Sequence, residues 1–104
     1  MYILTIHYPK PKGATFDFSY FQSRHLPEVG KVFQPFGLGW ATVLRGEESL
    51  GGGEPAFFAT TFLSFADEEA ARNAVKSDGA KALVEDIANF TSVTPVMQFN
   101  TAVR

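Results

Sequence analysis

From Tyr2 to Tyr8 the chain is rich in β-branched and aromatic residues, the composition of a pleated, half-buried strand. Tyr2, Leu4, Ile6 and Tyr8 share one face, and Ile3, Thr5 and His7 the other. Pro9-Lys10-Pro11-Lys12-Gly13 ends it as a loop. The apolar spacing then becomes helical. Phe18, Phe21, Gln22 and His25 fall together, behind Thr15 or Asp17 as N-cap. Pro27 interrupts this pattern. It has no N–H for the carbonyl of Ser23, and its ring disfavours helical angles at Leu26. The expected kink tilts His25 out of the regular helix surface, near the freed carbonyl. Val29, Val32, Phe33 and Phe36 then continue the helix on a new axis as far as Pro35-Phe36-Gly37.

Leu38 to Gly46, with Trp40, Val43 and Leu44, reads as a second strand, and Ala56 to Phe65 is the clearest strand of the chain. In the latter, Phe57, Ala59, Thr61, Leu63 and Phe65 are expected on one face and Phe58, Thr60, Phe62 and Ser64 on the other. Glu47 to Pro55 joins the two as a flexible connection. Its Gly51-Gly52-Gly53 run has no following lysine and no following helix, so it is not a phosphate-binding loop. Asp67-Glu68-Glu69 opens a second helix, with acids where the helix dipole favours them. Ala71, Ala74, Val75, Ala82 and Leu83 form its buried stripe. Asp86, four residues beyond Ala82, projects near that stripe. Val93 to Val103 is the last strand, entered through Pro95, with Met97 and Phe99 on one face and Val96, Gln98 and Asn100 on the other.

The order β-α-β-β-α-β is that of a ferredoxin-like α+β fold. A single domain over 1–104 is expected, with a four-stranded antiparallel sheet and two helices on one face. The third strand carries large rings on both faces, so the bare sheet face exposes an apolar patch. A second copy of the same face covers it with closed two-fold symmetry. A homodimer packed sheet to sheet is therefore expected.

Composition narrows the functions. At 104 residues the chain buries about two-thirds of the surface it exposes unfolded, enough for a core. Phe is 11 of those residues, which supplies rings for a core and for an apolar ligand pocket. A net charge of −2, with 9 Lys and Arg scattered along the chain, gives no basic stripe for nucleic acid. There is no cysteine, so disulfides, thiolate metal sites and cysteine nucleophiles are absent. No Gly-x-Ser-x-Gly elbow is present. No apolar run approaches the roughly 18 residues of a membrane span and no signal peptide is visible, so a soluble cytoplasmic protein is expected.

The candidate chemistry lies on the helices. His25 can serve as a general acid or base with Asp86 orienting its ring, because both residues point inward from the same side of the sheet. The pair reads equally as a structural link between helices. Tyr8 could present a phenol at the mouth of a pocket beneath the helices, or serve only as a core ring. Gln98 could polarise a substrate oxygen, or face solvent or a partner. Phe18, Phe21, Phe36 and Trp40 are the candidates for a pocket lining. His7 lies opposite Tyr8 and away from His25, and neither His-x-His nor His-x-x-x-His occurs, so no metal site is expected.

Four features together resemble the EthD-like family of dimeric α+β barrel proteins over essentially the whole chain. They are Tyr8-Pro9 ending the first strand, Phe21…His25-Leu26-Pro27 on the first helix, Asp86 closing the second, and Thr94-Pro95-Val96 in the last strand. The resemblance implies a dimer related to small monooxygenases of aromatic polyketides, muconolactone isomerases and polyketide cyclases, many acting without metal or prosthetic group. The family's namesake role is in ethyl tert-butyl ether degradation. The expected function is a small cofactor-independent enzyme acting on a hydrophobic aromatic or cyclic oxygenated compound, with His25 moving a proton. The alternative is a non-catalytic dimer that binds small apolar ligands. The fold alone does not select among these activities.

Overall fold

In the computed structural model, which describes all 104 residues, strand β1 (Tyr2–Pro9) is flanked on both edges. β3 (Phe57–Phe65) and β4 (Val96–Asn100) pair with it antiparallel, and β2 (Ala41–Arg45) pairs antiparallel with β3. The sheet order is β2-β3-β1-β4. With helices between β1 and β2 and between β3 and β4, this is the ferredoxin-like arrangement expected from the element order. The edge strands are shorter than their sequence patterns suggested. No helix is long and apolar enough to cross a membrane.

The first helical region runs through four segments of three kinds of backbone. Helix α1 (Phe18–Tyr20) is capped by Asp17, whose carboxylate accepts the Tyr20 amide at 3.1 Å. A π-helical turn follows over Phe21–His25, then helix α2 (Leu26–Phe33) and a 3-10 turn over Gln34–Phe36. The expected bend at Pro27 is replaced by this widened turn. Leu26 keeps helical angles (φ −61°, ψ −40°) and its N–H reaches back to the carbonyl of Phe21. Pro27 takes the second position of α2, where a missing N–H costs little. The extra residue of the π turn thus takes up the disruption one turn before the proline.

The second helical region is two helices, α3 (Glu68–Lys76) and α4 (Asp78–Asp86), where the sequence suggested one. Ser77 ends α3 in extended backbone, and its hydroxyl caps α4 by accepting the Ala80 amide. The break changes the buried stripe: Ala80, Leu83 and Ile87 are buried, whereas Val75 and Ala82 are exposed. Gly79 permits α4 to approach α2, since a Cβ there would lie 2.8 Å from a methyl of Val32.

The core divides in two. One cluster joins Leu4, Leu63 and Phe65 of the sheet to Val29 and Phe33 of α2, Ala71 and Ala74 of α3, and Ala80 and Leu83 of α4. The other joins Tyr8, Phe58 and Ala59 to Phe21, Ile87 and Phe90. Ile6 packs against both. A bulge explains why Phe58 lies on this side. Tyr8 pairs with Ala59 but Pro9 pairs with Phe57, leaving Phe58 as an extra residue. The expected strict alternation therefore fails at this end of β3. Phe58 stacks on Phe16 at 5.2 Å, and Phe57 instead meets His7 on the open side at 5.4 Å.

The open face carries Ile3, Thr5 and His7 of β1, Thr42 and Leu44 of β2, Phe57, Thr60, Phe62 and Ser64 of β3, and Val96, Gln98 and Asn100 of β4. Leu44 is 53% exposed, and Val96, Phe57 and the neighbouring Trp40 are exposed as well. The sequence-based placement of His7 on this face holds.

Candidate active site

The segment before α1 is stitched to the segment after α4. Asp17 N–H donates to the carbonyl of Phe90 at 2.7 Å, and the Thr91 hydroxyl donates to the carbonyl of Thr15 at 2.8 Å. Phe16 and Thr91 form an isolated antiparallel bridge. This seam fixes the π turn against the C-terminal end of α4. His25 Nδ1 and Asp86 Oδ2 lie 2.9 Å apart across it.

Asp86 is held from several sides. The Tyr20 hydroxyl donates to Oδ1 at 2.6 Å, and the Asn89 amide donates to the same oxygen at 3.0 Å. Partial burial is the largest influence on this carboxyl and would raise its pKa. The hydrogen bonds from Tyr20, Asn89 and His25 together outweigh it, so the pKa lies below the usual carboxylate value and Asp86 is ionised at neutral pH. An ionised carboxylate only accepts, so Nδ1 of His25 carries the proton in the neutral ring. Nε2 forms no hydrogen bond within the chain.

The imidazole is 3% exposed and sits between two phenylalanines. Phe21 stacks on it at 5.9 Å with 19° between the planes, and Phe90 lies 4.7 Å away. Tyr8 enters the same group from the sheet, edge-on to Phe16, Phe21 and Phe90 at 5.3 to 5.7 Å. Burial first, and the nearby Asp86 charge second, push its phenol far above the ordinary value of 10.0. Tyr8 is therefore a protonated donor throughout the neutral range, and its hydroxyl forms no hydrogen bond within the chain. The Tyr20 phenol is raised too, chiefly by its bond to Asp86.

The structure thus brings together His25, Asp86, Tyr8, Phe21 and Phe18, the last lying 4.5 Å from Phe16 and 6.4 Å from Phe21. Three other candidates lie elsewhere. Phe36 packs against the opposite core cluster, because the 3-10 turn carries it past α2. Trp40 is exposed beside Ser64, to which its backbone is bonded on the open side. Gln98 is on the open face, bonded to Asn100 at 2.6 Å, with the sheet between it and His25. Tyr20, Asn89 and Phe90 belong to the group and were not singled out from the sequence. Tyr20 lies five residues before His25, the spacing of a π turn, and that turn has no clear sequence signature. No group of three His, Asp or Glu side chains comes together as a metal cage.

Asp86 and Tyr20 also line a groove of about 740 Å³ between α2 and α4, with Arg24, Pro27 and Lys31 on its α2 side. His25 is not part of its wall.

The fold matches an EthD-like protein from Ralstonia eutropha at 32% identity and TM-score 0.85, covering 99% of this chain and 92% of that one. An EthD (ethyl tert-butyl ether) family protein from Bacillus halodurans matches at 23% identity and TM-score 0.79, over 99% of each chain. SnoaB, a cofactor-independent oxygenase from Streptomyces nogalater, shares the fold at 14% identity and TM-score 0.66, over 99% of this chain and 91% of its own. No protein-family model matches the chain, and neither does any curated protein.

Proposed function

Given that this chain belongs to the EthD-like family of dimeric α+β barrel proteins, we propose that it is a small cofactor-independent enzyme of hydrophobic aromatic or cyclic oxygenated compounds. The proposed chemistry is proton transfer by His25. The observation that carries this reading is the 2.9 Å contact between His25 Nδ1 and Asp86, which leaves Nε2 as the basic nitrogen. Nε2 takes a proton from an activated C–H or O–H of the substrate, and the imidazolium so formed rests against the Asp86 carboxylate. Tyr8, kept protonated by burial, donates a hydrogen bond to the oxygen on which negative charge develops. The ring-rich interior supplies the apolar surface for the substrate. Isomerisation and dehydration begin from this step, oxygenation does so with dioxygen as the oxidant, and decarboxylation uses the reverse transfer, the imidazolium giving its proton to the carbon that loses carbon dioxide.

The chain works as a homodimer in this proposal, its partner covering the apolar open face of the sheet. Leu44, Phe57, Phe62 and Val96 supply the contact surface.

A second reading has its own observation. The 3% exposure of His25, packed between Phe21 and Phe90, is also what a structural histidine shows, and it favours a non-catalytic binder of small apolar ligands. Exchange of the α-protons of 2-tetralone in D₂O separates the two, because it needs proton transfer and no co-reactant. An enzyme accelerates exchange, and His25→Gln lowers the rate by about 10²- to 10⁴-fold. A binder holds 2-tetralone without accelerating exchange, and that result removes His25 from catalysis.

A further inference from the structure

The helices leave one strip of their own sheet face uncovered. Val43 and Arg45 on β2 lie on the face turned to the helices, since Val43 pairs with Thr61, and Thr61 with Ile6. Val43 is nevertheless 38% exposed, and Arg45 is exposed too. Just inside this strip sits Thr61, 2% exposed, whose hydroxyl is the buried side-chain polar atom without a hydrogen bond. Such an atom is costly to leave unpaired, and closed over as it is in the free chain it gains a partner only when the neighbouring side chains move. It lies between the two halves of the core, next to Ile6, which touches both.

The neighbours of Thr61 are chemically pointed. The next cross-strand row runs from Arg45 through Ala59 to Tyr8. Thr61 is the diagonal neighbour of both Arg45 and Tyr8, about 7 Å away in a regular sheet. Ala59, between them, contributes only a methyl. The Arg45 guanidinium lies over Phe18, 4.0 Å from the ring centroid, and forms no ion pair and no hydrogen bond. A planar, fork-shaped cation held against an aromatic ring and lacking a carboxylate is suited to recognising one.

We propose that Arg45 and Thr61 are the specificity-determining residues of the substrate site and that they select an aromatic ligand bearing an oxyanion, a carboxylate in the simplest case. The guanidinium pairs with the charged oxygens and the Thr61 hydroxyl donates to one of them. The ring of the ligand lies along Val43, which is exposed on this strip. The inference rests on the reading of this interior as the substrate site, and it adds the charge of the substrate.

Calorimetric titration of the full chain with 2-naphthoate and its neutral isostere 2-naphthamide tests it. The carboxylate binds about tenfold more tightly, as a charge-assisted bond at a part-exposed site allows. Arg45→Met reduces naphthoate to the affinity of the amide and leaves the amide unchanged. Thr61→Val weakens naphthoate severalfold. Arg45 is on an exposed edge strand, and Arg45→Gln repeats the measurement with a polar side chain should the methionine variant fold poorly. Equal affinities in the wild type, no binding of either compound, or a preference that survives both Arg45 variants overturns the proposal. The readout is independent of turnover. His25→Gln retains the preference, so a preference without proton exchange sinks only the catalytic reading, and exchange without a preference sinks only this one.

Discussion

His25 and Asp86 lie 61 positions apart in the chain and meet at 2.9 Å across the seam between the π turn and α4. The carboxylate accepts from Tyr20 and Asn89 as well, so one side chain ties three segments together. Asp86→Asn removes the charge and leaves donors competing for a single acceptor oxygen. Chemical denaturation is expected to show a loss of about 1–3 kcal/mol, the cost of leaving buried donors poorly paired. α-Proton exchange on 2-tetralone is expected to fall with it.

The same carboxyl sets an acid limit. Its folded-state pKa is below the ordinary value of 3.8, so its stabilising contribution is present above 3.8 and is lost as pH falls through the lower folded value. Thermal melts of the wild type should lose stability over that window. Asp86→Asn, with nothing to titrate, should lose less. Parallel curves for the two proteins would show that the carboxylate is not coupled to folding.

Tyr8 sets the alkaline limit. Its phenol is raised above 10.0, so its contribution is complete below pH 10 and declines as pH climbs from there towards the folded value. Tyr20 shifts in the same direction and contributes to the same decline. Tyr8→Phe isolates the first group. It should be close to neutral at pH 7, since the hydroxyl has no hydrogen bond to lose, and should lose less stability than the wild type above pH 10.

Thr61→Val offers the reverse kind of result. The substitution keeps the β-branched shape and removes the unpaired buried hydroxyl, so the free protein should be more stable by about 1 kcal/mol. A destabilised variant in the absence of ligand would mean that the hydroxyl already has a partner in solution.

Leu44→Glu places a charge at an exposed position of the open face. Two copies meeting there by two-fold symmetry would bring like charges together, so sedimentation should shift from dimer to monomer. Unfolding of the monomer should change by no more than about 0.5 kcal/mol, as for an ordinary surface substitution. A wild type that already sediments as a monomer at micromolar concentration removes the sheet-to-sheet interface.

Much of this architecture is legible in the sequence because it depends on local periodicity. The alternation of Tyr2, Leu4, Ile6 and Tyr8 places β1, Asp17 rather than Thr15 caps the first helix, and Asp67 stands at the start of the second, where acids are expected. The pairing of His25 with Asp86 follows from two inward-facing positions on one side of a sheet. The Phe58 bulge is different: it depends on how Pro9 and Phe57 meet across two strands, which no single segment encodes. Ser77 reads as an ordinary helical residue until the approach of Gly79 to Val32 demands a change of direction. Tyr20 was hidden by the helical period itself. Five residues of α-helix turn through about 500°, which would put Tyr20 about 140° from His25.

The π turn also acts as a phase correction. Phe21, His25, Val29 and Phe33 are all buried, each four residues after the last. An ideal α-helix would advance this series by about 40° per step and swing its two ends onto different faces. One wide turn resets the angle between the site half of the helix and the core half. The helix therefore behaves as two splines joined at an adjustable coupling. Deleting Ser23 would restore a regular α-helix, because a π turn spends five residues on the rotation that an α-helix completes in about four. The site half and the core half would then keep their relative angle, and the loss would fall on the turn itself, where Tyr20 would stand four rather than five residues before the histidine.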